Sequence, residues 1–415
     1  MIPVDEHRAR ILDEARPLPP ETVPLALAAG RVVGERVHTR WPVPVFDNSG
    51  MDGYAVVAAD AREGVRLRVV ADVPAGSARD PRLGPGEAAR IMTGAPLPSD
   101  ADAVVPLEHT DLGAPATPEP PQWIVVTRAP APGAHIRRAG DDAPAGALVA
   151  DTGTELGPWQ LSAIASAGRE SVRVHRRPRV AVISTGSELV PPASALRRGQ
   201  IPESNSVLLG AAILEAGADV VSSEVVPDDP DLLRAALGRA QADVIVLSGG
   251  ASVGALDVVR AVLGRSSVRF DEVAMQPGKP QGFGVDPSGA LLLCLPGNPV
   301  GVAVSFELFV RPALRRLGGH AGIDRARVEL RSAESWQSRR GRLQLVPIVV
   351  EGGEARRVFG AGAGSHRVHS LAAADGLAVV PEEVEHVFVG DTLSVMLVGP
   401  RAALPPVPPA VSIGG

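Results

Sequence analysis

The sequence predicts an α/β protein, in which a central α/β domain with a parallel-type sheet is accompanied by two small, mostly-β domains. Two observations lead to this fold class. Residues 173–320 alternate apolar runs typical of buried strands with segments of helical periodicity, as parallel α/β domains do. Residues 41–136 and 325–400 instead carry short β-type runs separated by Pro and Gly turns.

The elements of the central domain follow from its apolar runs. The predicted strands are "RVAVIS" (179–184), "VVSSEVV" (220–226), "DVIVLS" (243–248), "VRFDEVAM" (268–275) and "ALLLCLP" (290–296). The predicted helices are "SVLLGAAILEAGA" (206–218), "PDLLRAALGRA" (230–240), "LDVVRAVLG" (256–264) and "VGVAVSFELFVRPALRRLG" (300–318). This regular alternation predicts a doubly wound sheet with helices on both faces.

The flanking segments predict an insertion of one domain into another. Residues 1–40 carry two amphipathic helix signals, "VDEHRARILDEA" and "PLALAAGRVV", and residues 137–172 return to helix with "GPWQLSAIASAG". Between them, residues 41–136 contain the β-type runs "RLRVVADV", "EAARIM", "ADAVVPLE" and "QWIVVTRA". Residues 325–400 form a second β domain with "LQLVPIVV", "LAVVP" and "TLSVMLV", and residues 401–415 are a Pro-rich tail.

Composition narrows the function classes. The chain has 415 residues, a formal net charge of -6 and no dominant Lys/Arg cluster, which argues against nucleic acid as a partner. The single cysteine, Cys294, rules out an intramolecular disulfide and a Cys-based zinc site. The charged N-terminus is not a signal peptide, and no uninterrupted apolar stretch reaches the ~18 residues of a membrane span. We therefore expect a cytoplasmic protein without a membrane partner.

Glycine-bearing or acidic turns follow all five predicted strands. Ligands of open parallel sheets bind beyond the carboxyl ends of the strands, so these turns predict the contents of one edge. Five segments supply candidate residues: "TGSEL" with Thr185, Gly186 and Glu188; "PDDP" with Asp228 and Asp229; "SGGASVGALD" with Gly249, Gly250, Ser252 and Asp257; "QPGKPQG" with Gly278 and Lys279; "PGNPVG" with Gly297 and Asn298.

The residue types at this edge point to a phosphorylated ligand with a metal ion. Glycines let backbone N–H groups approach an anion, helix N-termini add a partial positive charge, and Lys279 can neutralise a phosphate. Three carboxylates at the same edge would repel an anion unless a divalent cation such as Mg²⁺ lay between them. Each element has a simpler interpretation as well: the glycines serve as tight turns, and Asp229 serves as a helix N-cap.

A second acidic cluster lies in the first half of the chain. Its segments are "PVFDNSGMDGYAV" (44–56), "RIMTGAPLP" (90–98) and "IRRAGDD" (136–142). Taken alone, the composition of "FDNSGMDGYAV" favours a pair of Asx-type turns that lead into a strand.

Taken together and in order, these motifs resemble the MoeA/gephyrin family, the molybdopterin molybdenumtransferases. The resemblance covers residues 5–398 and also includes "GAGSH" (362–366). It implies an elongated helical N-terminal region, an inserted mostly-β domain, a central three-layer α/β domain and a C-terminal β-barrel-like domain. It further implies a Mg²⁺-assisted reaction of molybdate with adenylylated molybdopterin that gives molybdenum cofactor, AMP and water. A homodimer is implied, with the active cleft between the α/β domain of one chain and the β domain of the other. Implied functional partners are the upstream molybdopterin adenylyltransferase and molybdoenzymes.

The resemblance also assigns roles by position. Asp52, Asp142, Glu188, Asp228, Asp257 and Lys279 match functional positions of the family. We expect these residues to act in catalysis, with Asp52, Glu188 and Asp257 as the Mg²⁺ ligands. The remaining positions would contact the pterin, its phosphate or the nucleotide: Thr93, Thr185, Gly186, Asn205, Gly249, Gly250, Ser252, Pro296, Gly297, Asn298, Pro299 and Ser365. Thr93 and Ser365 are equally well explained as turn hydroxyls.

The chain departs from the family pattern at several anion-contacting positions. Gln276 stands where the family often has Lys, Glu272 where a basic residue is frequent, Ala255 where an acid is common, and Ala363 replaces a polar residue. His366 and His369 are spaced like a metal pair, but the flanking glycines disfavour the helix that such a pair needs. Two other functions remain open at this point: a gephyrin-type scaffold that clusters proteins, and molybdopterin adenylylation, for which the extra β domains are unnecessary.

Overall fold

The computed structural model describes residues 1–114, 118–249, 258–264, 268–358 and 368–398 of the chain. The chain divides into two compact units. The first contains residues 1–21, 30–34 and the described part of 174–415, and the second contains residues 22–29 and 35–173.

The first unit is built around a six-stranded mixed sheet. Its strands, in spatial order, are Asp219–Val226, Arg179–Thr185, Val244–Ser248, Leu291–Leu295, Pro280–Val285 and Arg269–Glu272. The first four run parallel, as the sequence predicts. Pro280–Val285 pairs antiparallel with both of its neighbours, so the sheet ends in an antiparallel edge that the apolar pattern does not reveal.

Alternation along the strands produces the three layers. On one face, Val180 and Val182 pack in a core with Leu209 and Ile213 of the helix Asn205–Glu215. On the other face, residues such as Ala181, Ile183 and Leu247 pack against the helices Pro230–Arg239 and Val258–Leu263. Because successive strand residues point to opposite faces, apolar runs without alternation are buried on both sides. The three-layer α/β prediction is confirmed.

Two further helical segments complete the α/β domain. Pro299–Ser305, a π-helical segment Phe306–Val310 and Arg311–Leu317 follow one another without a break, in agreement with the predicted long helix. The N-terminal helix Val4–Glu14, also predicted, packs the ring of His7 edge-on against Phe309 at a centroid distance of 4.9 Å. A short parallel pair, Leu189–Val190 with Ile201–Pro202, lies in the connection between the strand Arg179–Thr185 and the helix Asn205–Glu215.

The C-terminal segment closes into a five-stranded barrel. Around the barrel the strands are Leu343–Glu351, Glu354–Arg357, Arg327–Ser332, Thr392–Leu397 and Gly376–Val380, and the last pairs with the first. Met275–Gln276 pairs in parallel with the barrel strand Leu343–Glu351. Trp336–Gln337 pairs separately with His386–Val387. The helix Val368–Ala373 precedes the barrel strand Gly376–Val380. The barrel-like prediction is confirmed.

The second unit contains a five-stranded sheet with the order Ala103–Pro106, Gly53–Val56, Glu87–Ile91, Arg66–Val73 and Trp123–Val125. All four runs predicted as strands between 66 and 129 form strands here. The helix Pro158–Ser166 is also present, with Gly157 at its N-cap. Two strand pairs, Asn48–Ser49 with Ile136–Arg137 and Val37–His38 with Leu148–Ala150, join the start and the end of the unit.

Two predicted elements are wrong. The helix expected over 24–33 is only a 3₁₀ turn, Leu25–Leu27, which follows the strand Pro20–Pro24. Gly30 has a φ of 71°, which a right-handed helix does not allow, so the apolar periodicity of this segment does not continue as an α-helix. Elsewhere in the chain, another 3₁₀ turn spans Leu107–His109. The strand expected over 268–275 is split into Arg269–Glu272 and Met275–Gln276, which belong to different sheets. The strand Ser171–His175 after helix Pro158–Ser166 was not predicted.

The helices of the described residues include none that is both long enough and apolar enough to cross a lipid bilayer.

Asp243 ties together the amino end of the central sheet. Its carboxylate accepts two hydrogen bonds of 2.7 Å from the Arg176 guanidinium and one of 2.8 Å from the Arg179 N–H. Burial acts to raise the pKa of Asp243, but these donors outweigh it and hold the pKa below its usual value. The carboxylate therefore stabilises the fold at neutral pH, and this contribution is lost as the pH falls through the lowered pKa.

We expect Asp243→Asn to lower the free energy of unfolding by about 1–3 kcal/mol at pH 7, because the variant keeps the shape but loses the charge-assisted pair. Urea denaturation measures the difference. The gap between variant and wild type should shrink below about pH 4, where the wild-type carboxyl also takes up a proton. Equal stability at pH 7 would contradict the assignment.

Candidate functional site

The topology brings the five predicted turns to one edge. The four parallel strands end at this edge, and Arg269–Glu272 runs in the same direction because two antiparallel pairings separate it from Leu291–Leu295. The turns that follow Thr185, Val226, Ser248, Glu272 and Leu295 therefore lie along the same edge, although more than a hundred residues of sequence separate Thr185 from Leu295.

The backbone is closely packed where Thr185 meets Gly249. Gly249 has a φ of 92°, and a Cβ added to it would lie 2.3 Å from the Thr185 carbonyl oxygen, so both conformation and space require glycine. A Cβ on Gly297 would lie 3.4 Å from the Gly249 Cα. Three of the predicted ligand-contacting positions thus adjoin each other through their backbones.

Where Thr185, Gly249 and Gly297 adjoin, two buried polar atoms have no hydrogen-bond partner within the described part of the chain; Gln276 Oε1, in the turn before Lys279, is a third such atom of the edge. Thr185 is 4% exposed, and its Oγ1 is one of them. Asn205 is 7% exposed; its Nδ2 donates to the Gly297 carbonyl at 2.8 Å, whereas its Oδ1 is the other unpartnered atom. Because buried polar groups are nearly always hydrogen-bonded, such atoms indicate the contacts of a ligand.

The acidic residues Glu188, Asp228 and Asp229 of the edge are solvent-exposed. Ser187 N–H donates to Asp228 Oδ2, and Asp228 N–H donates to Ser187 Oγ, each at 3.0 Å, so two of the turns are held together reciprocally. Glu188 is exposed next to them, and a Cβ on Gly186 would clash with the Glu188 carboxylate at 2.7 Å. Glu188 and Asp228 therefore lie on adjacent turns with their carboxylates accessible.

Two of the helix N-termini at this edge are already capped by carboxylates of the chain. Asp229 Oδ1 accepts from the N–H groups of Asp231 and Leu232 at 2.8 and 3.0 Å, the N-cap interpretation given above. Glu203 Oε1 accepts from Ser206 N–H at 2.8 Å at the start of Asn205–Glu215. Carboxylates of the chain therefore already accept hydrogen bonds from N–H groups at both N-termini, and the expectation that helix N-termini attract the anion stays a prediction.

Lys279 forms an ion pair. Its Nζ donates to Glu272 Oε1 at 2.7 Å, and both side chains are partly exposed. This hydrogen bond from Lys279 holds the pKa of Glu272 below its usual value. The neighbouring Gly278 has a φ of 102°, and its carbonyl accepts a 2.6 Å hydrogen bond from buried Gln281 Nε2. The cation predicted to neutralise an anion thus has an internal partner.

The last turn carries Pro296, Gly297, Asn298 and Pro299. Pro296 is buried, and a Cβ on Gly301 would lie 2.9 Å from its ring. Asn298 is exposed and precedes the helix that Pro299 begins, but its side chain makes no capping hydrogen bond. The side-chain amide of Asn298 is therefore not used to cap this helix.

The second unit brings Asp52 and Thr93 together. Asp52 Oδ1 accepts hydrogen bonds of 2.7 Å from both the N–H and the hydroxyl of Thr93. These two donors, the N–H first, lower the pKa of Asp52. Gly94, with a φ of 78°, follows Thr93 and donates its N–H to the Ser49 carbonyl at 2.9 Å. Asp52 is exposed and is ionised at neutral pH.

A further acidic residue joins the three acidic-cluster segments of this unit. Asp47 accepts from Arg138 Nη1 at 2.6 Å and from Ala139 N–H at 2.8 Å, and these donors, the Ala139 N–H first, lower its pKa. The strand pair Asn48–Ser49 with Ile136–Arg137 runs alongside. Asp142 lies in the same segment, exposed, with its N–H bonded to the Val43 carbonyl at 3.0 Å.

Several predicted positions, namely Gly250, Ser252, Ala255, Asp257, Ala363, Ser365 and His366, lie outside the described residues. Within residues 1–114, 118–249, 258–264, 268–358 and 368–398, no group of three or more His, Cys, Asp or Glu side chains is arranged to hold a metal ion.

The sequence interpretation missed three polar residues beneath the edge: Glu203, Ser184 and Ser248. All three are buried and hydrogen-bonded to one another. An acid directly before a Ser-Asn pair and an apolar helical run is typical of a helix start, which was the available signal for Glu203. Ser184 and Ser248 each end an apolar strand, where a single serine carries no distinctive pattern.

Fold and site together define a multidomain α/β protein with a candidate ligand site beyond the carboxyl ends of its parallel strands. Family models match three consecutive parts of the chain: "MoeA N-terminal region (domain I and II)" over residues 2–168, "Probable molybdopterin binding domain" over 181–316, and "MoeA C-terminal region (domain IV)" over 329–398. The chain therefore belongs to the MoeA family.

Individual relatives agree with this assignment. Molybdopterin molybdenumtransferase 2 of Mycobacterium tuberculosis is 41% identical over 94% of this chain and 98% of its own length. Molybdopterin molybdenumtransferase of Haemophilus influenzae is 36% identical over 77% of this chain and 78% of its own. The crystal structure of the molybdopterin biosynthesis MoeA protein from Pyrococcus horikoshii matches with a TM-score of 0.81 and 34% identity, covering 96% of this chain and 99% of that one.

The contact between Thr93 and Asp52 can be tested by titration. We expect Thr93→Val to raise the pKa of Asp52 towards its ordinary value, because the variant removes the hydroxyl donor but keeps the N–H donor. Thr93→Ser, which retains a hydroxyl, is the matched control and should leave the pKa unchanged. Carbon-13 NMR of the Asp carboxyl groups measures both, and an unchanged pKa in Thr93→Val would count against the hydroxyl contact.

Proposed function

We propose that this protein inserts molybdenum into molybdopterin, using adenylylated molybdopterin and molybdate and releasing AMP with the assistance of Mg²⁺. The observation that carries the proposal is the pair of buried atoms that have no partner among the described residues, Thr185 Oγ1 and Asn205 Oδ1, at the edge where Gly249 permits close backbone approach. The names of the relatives supply the identity of the ligand, and the edge supplies polar contacts suited to a phosphorylated pterin.

In this proposal the edge of the α/β domain binds the pterin and its phosphate. Thr185, Asn205 and the backbone around Gly186, Gly249 and Gly297 provide neutral hydrogen-bonding groups at short range. Asn298, whose side chain makes no capping bond, offers an amide to the ligand beside Pro296 and Pro299. Gly250, Ser252 and Ser365 extend the same role by family position.

The carboxylates act on the reacting phosphoanhydride. Glu188 and Asp228 are exposed on adjacent turns, so they can orient a water molecule and attract the Mg²⁺ ion towards the anhydride. Asp52, held in its ionised form by Thr93, and Asp142 join these carboxylates by family position. Cleavage of a phosphoanhydride depends mainly on positioning and charge neutralisation, and no covalent nucleophile is required.

Mg²⁺ would be held by Asp52, Glu188 and Asp257 and would neutralise phosphate oxygens. The donor chemistry fits, since Asp52 and Glu188 are exposed carboxylates and Mg²⁺ prefers oxygen ligands. The third proposed ligand, Asp257, lies outside the described residues and is assigned by family position.

Lys279 is the proposed neutralising cation for phosphate or molybdate oxygens. Its ion pair with Glu272 means that an anion must compete with a carboxylate for the same ammonium group. Because the pair is partly exposed, its strength is small and an arriving dianion can replace it. Glu272 thus tunes the affinity for the anion.

The assembly and the location belong to the same proposal. We infer a homodimer in the cytoplasm, with the active cleft formed by the α/β domain of one chain and the inserted β domain of its partner. The chain would receive its substrate from a molybdopterin adenylyltransferase and supply molybdoenzymes.

The direct test of the proposed function is AMP release by the purified protein from adenylylated molybdopterin, with and without molybdate and Mg²⁺. Release that is independent of molybdate would refute the proposal.

Glu188 is the most informative position to replace. We expect Glu188→Gln to reduce molybdate-dependent AMP release by at least about a hundredfold, because it removes a charge at the reacting centre and leaves the fold intact. Glu354→Gln, an exposed glutamate of the barrel, is the control and should retain wild-type activity. Wild-type turnover in Glu188→Gln would refute the role of this residue.

The neighbours Asp228 and Asp229 form an internal comparison. Asp228→Asn should reduce the rate of AMP release at least about tenfold, because it keeps the acceptor for Ser187 N–H but loses the charge. Asp229→Asn should have little effect, since Asn caps a helix as well as Asp does. Initial-rate measurements decide between them, and equal losses in both variants would contradict the separation of roles.

A further inference from the structure

A chain of hydrogen bonds is buried directly beneath the ligand-binding edge. Ser184 Oγ donates to Glu203 Oε1 at 3.1 Å and lies 3.0 Å from Ser248 Oγ. Since Ser184 has one hydroxyl proton and gives it to Glu203, Ser248 must be the donor in the serine pair. The three residues are 0% (Ser184), 1% (Ser248) and 4% (Glu203) exposed, and both carboxylate oxygens of Glu203, unlike Thr185 Oγ1 and Asn205 Oδ1, already have partners within the protein.

The same carboxylate also holds the start of the helix Asn205–Glu215. Glu203 Oε1 accepts from Ser206 N–H at 2.8 Å, and Glu203 Oε2 accepts from the Ser206 hydroxyl. The Glu203 N–H donates to the Val190 carbonyl at 2.8 Å. One buried side chain therefore connects two neighbouring strand ends with the beginning of a helix.

Each attachment point of this network adjoins a candidate ligand-binding residue. The two serines are register partners on adjacent parallel strands, so their hydrogen bond fixes how those strands end relative to each other. The adjoining pairs are Ser184 with Thr185, Ser248 with Gly249, and Ser206 with Asn205. Movement of the network would displace all three ligand-binding residues together.

An apolar arrangement would serve the fold alone at least as well. Positions 184 and 248 continue the sheet face on which Val180, Val182 and Val246 pack against the helix. Buried polar groups stabilise a fold less than well-packed apolar side chains of similar volume, but they define position more strictly. A polar network at the last strand positions, next to the two unpartnered atoms, indicates a role in orientation.

We propose that Glu203 is a positioning residue that holds Thr185, Asn205 and Gly249 in the geometry that binds molybdopterin; this inference rests on the proposed function. Glu203 acts through Ser184, Ser248 and Ser206 and does not contact the ligand. Loss of its carboxylate weakens ligand binding, whereas an acceptor of the same shape preserves it.

The test compares three variants of the full-length chain. Glu203→Met keeps the volume and removes the acceptor. Glu203→Gln keeps an oxygen for Ser184 and Ser206 N–H, and its amide can donate to the Ser206 hydroxyl. Asp243→Asn weakens the same sheet at its opposite, amino end and controls for a general loss of stability. The readouts are the Kd for molybdopterin, from pterin fluorescence under anaerobic conditions, and KM and kcat for molybdate-dependent AMP release.

We expect Glu203→Met to raise Kd and KM about tenfold with a smaller change in kcat, because the variant removes the buried carboxylate that accepts hydrogen bonds from Ser184 and Ser206. Glu203→Gln should stay within about twofold of wild type, and Asp243→Asn should bind normally despite its lower stability. Unchanged Kd and KM in Glu203→Met, or an equal rise in Asp243→Asn, would overturn the inference.

A second variant covers the case in which Glu203→Met fails to fold. Ser248→Ala removes one hydroxyl from the network and should raise KM about threefold, because the Ser184 hydroxyl loses its donor. Wild-type KM in Ser248→Ala would then overturn the positioning role. If the wild-type protein neither binds molybdopterin nor releases AMP, the proposed function itself is wrong, and the inference falls with it.

Discussion

The parallel pairing of the central strands is the constraint on which the rest of the site depends. Arg179–Thr185 lies between Asp219–Val226 and Val244–Ser248, in register with both, so the strands end together. Because parallel strands need long crossovers, residues far apart in sequence reach the same edge only through this arrangement. The close approach of Gly249 to Thr185 is a direct result, since the two residues follow the register partners Ser248 and Ser184.

The edge combines two kinds of polar group that differ in burial. The exposed carboxylates Glu188 and Asp228 remain hydrated and cost the fold little, whereas Thr185 Oγ1 and Asn205 Oδ1 are buried without a described partner. Burial of an unsatisfied polar atom opposes folding. A ligand that supplies the missing hydrogen bonds would repay that cost on binding, so the same atoms favour the bound state.

The second unit uses hydrogen bonds to keep its acids ionised. The pKa values of Asp47 and Asp52 are both lowered, mainly by backbone N–H donors from Ala139 and Thr93. These donors come from segments far away in sequence, so the acids also join those segments. Structural and electrostatic roles therefore coincide in these turns, which is why the sequence alone left the Asx-turn interpretation open.

Sequence alone determined the elements whose signal is local and periodic. Arg66–Val73 and the helix Val4–Glu14 appear where their residue patterns predict them, and the ordered motifs identified the family. Only the tertiary structure revealed the antiparallel strand Pro280–Val285, the burial of Glu203 and the pairing of Lys279 with Glu272. Each of these depends on which distant groups pack against the residue, and a periodic pattern does not encode those neighbours.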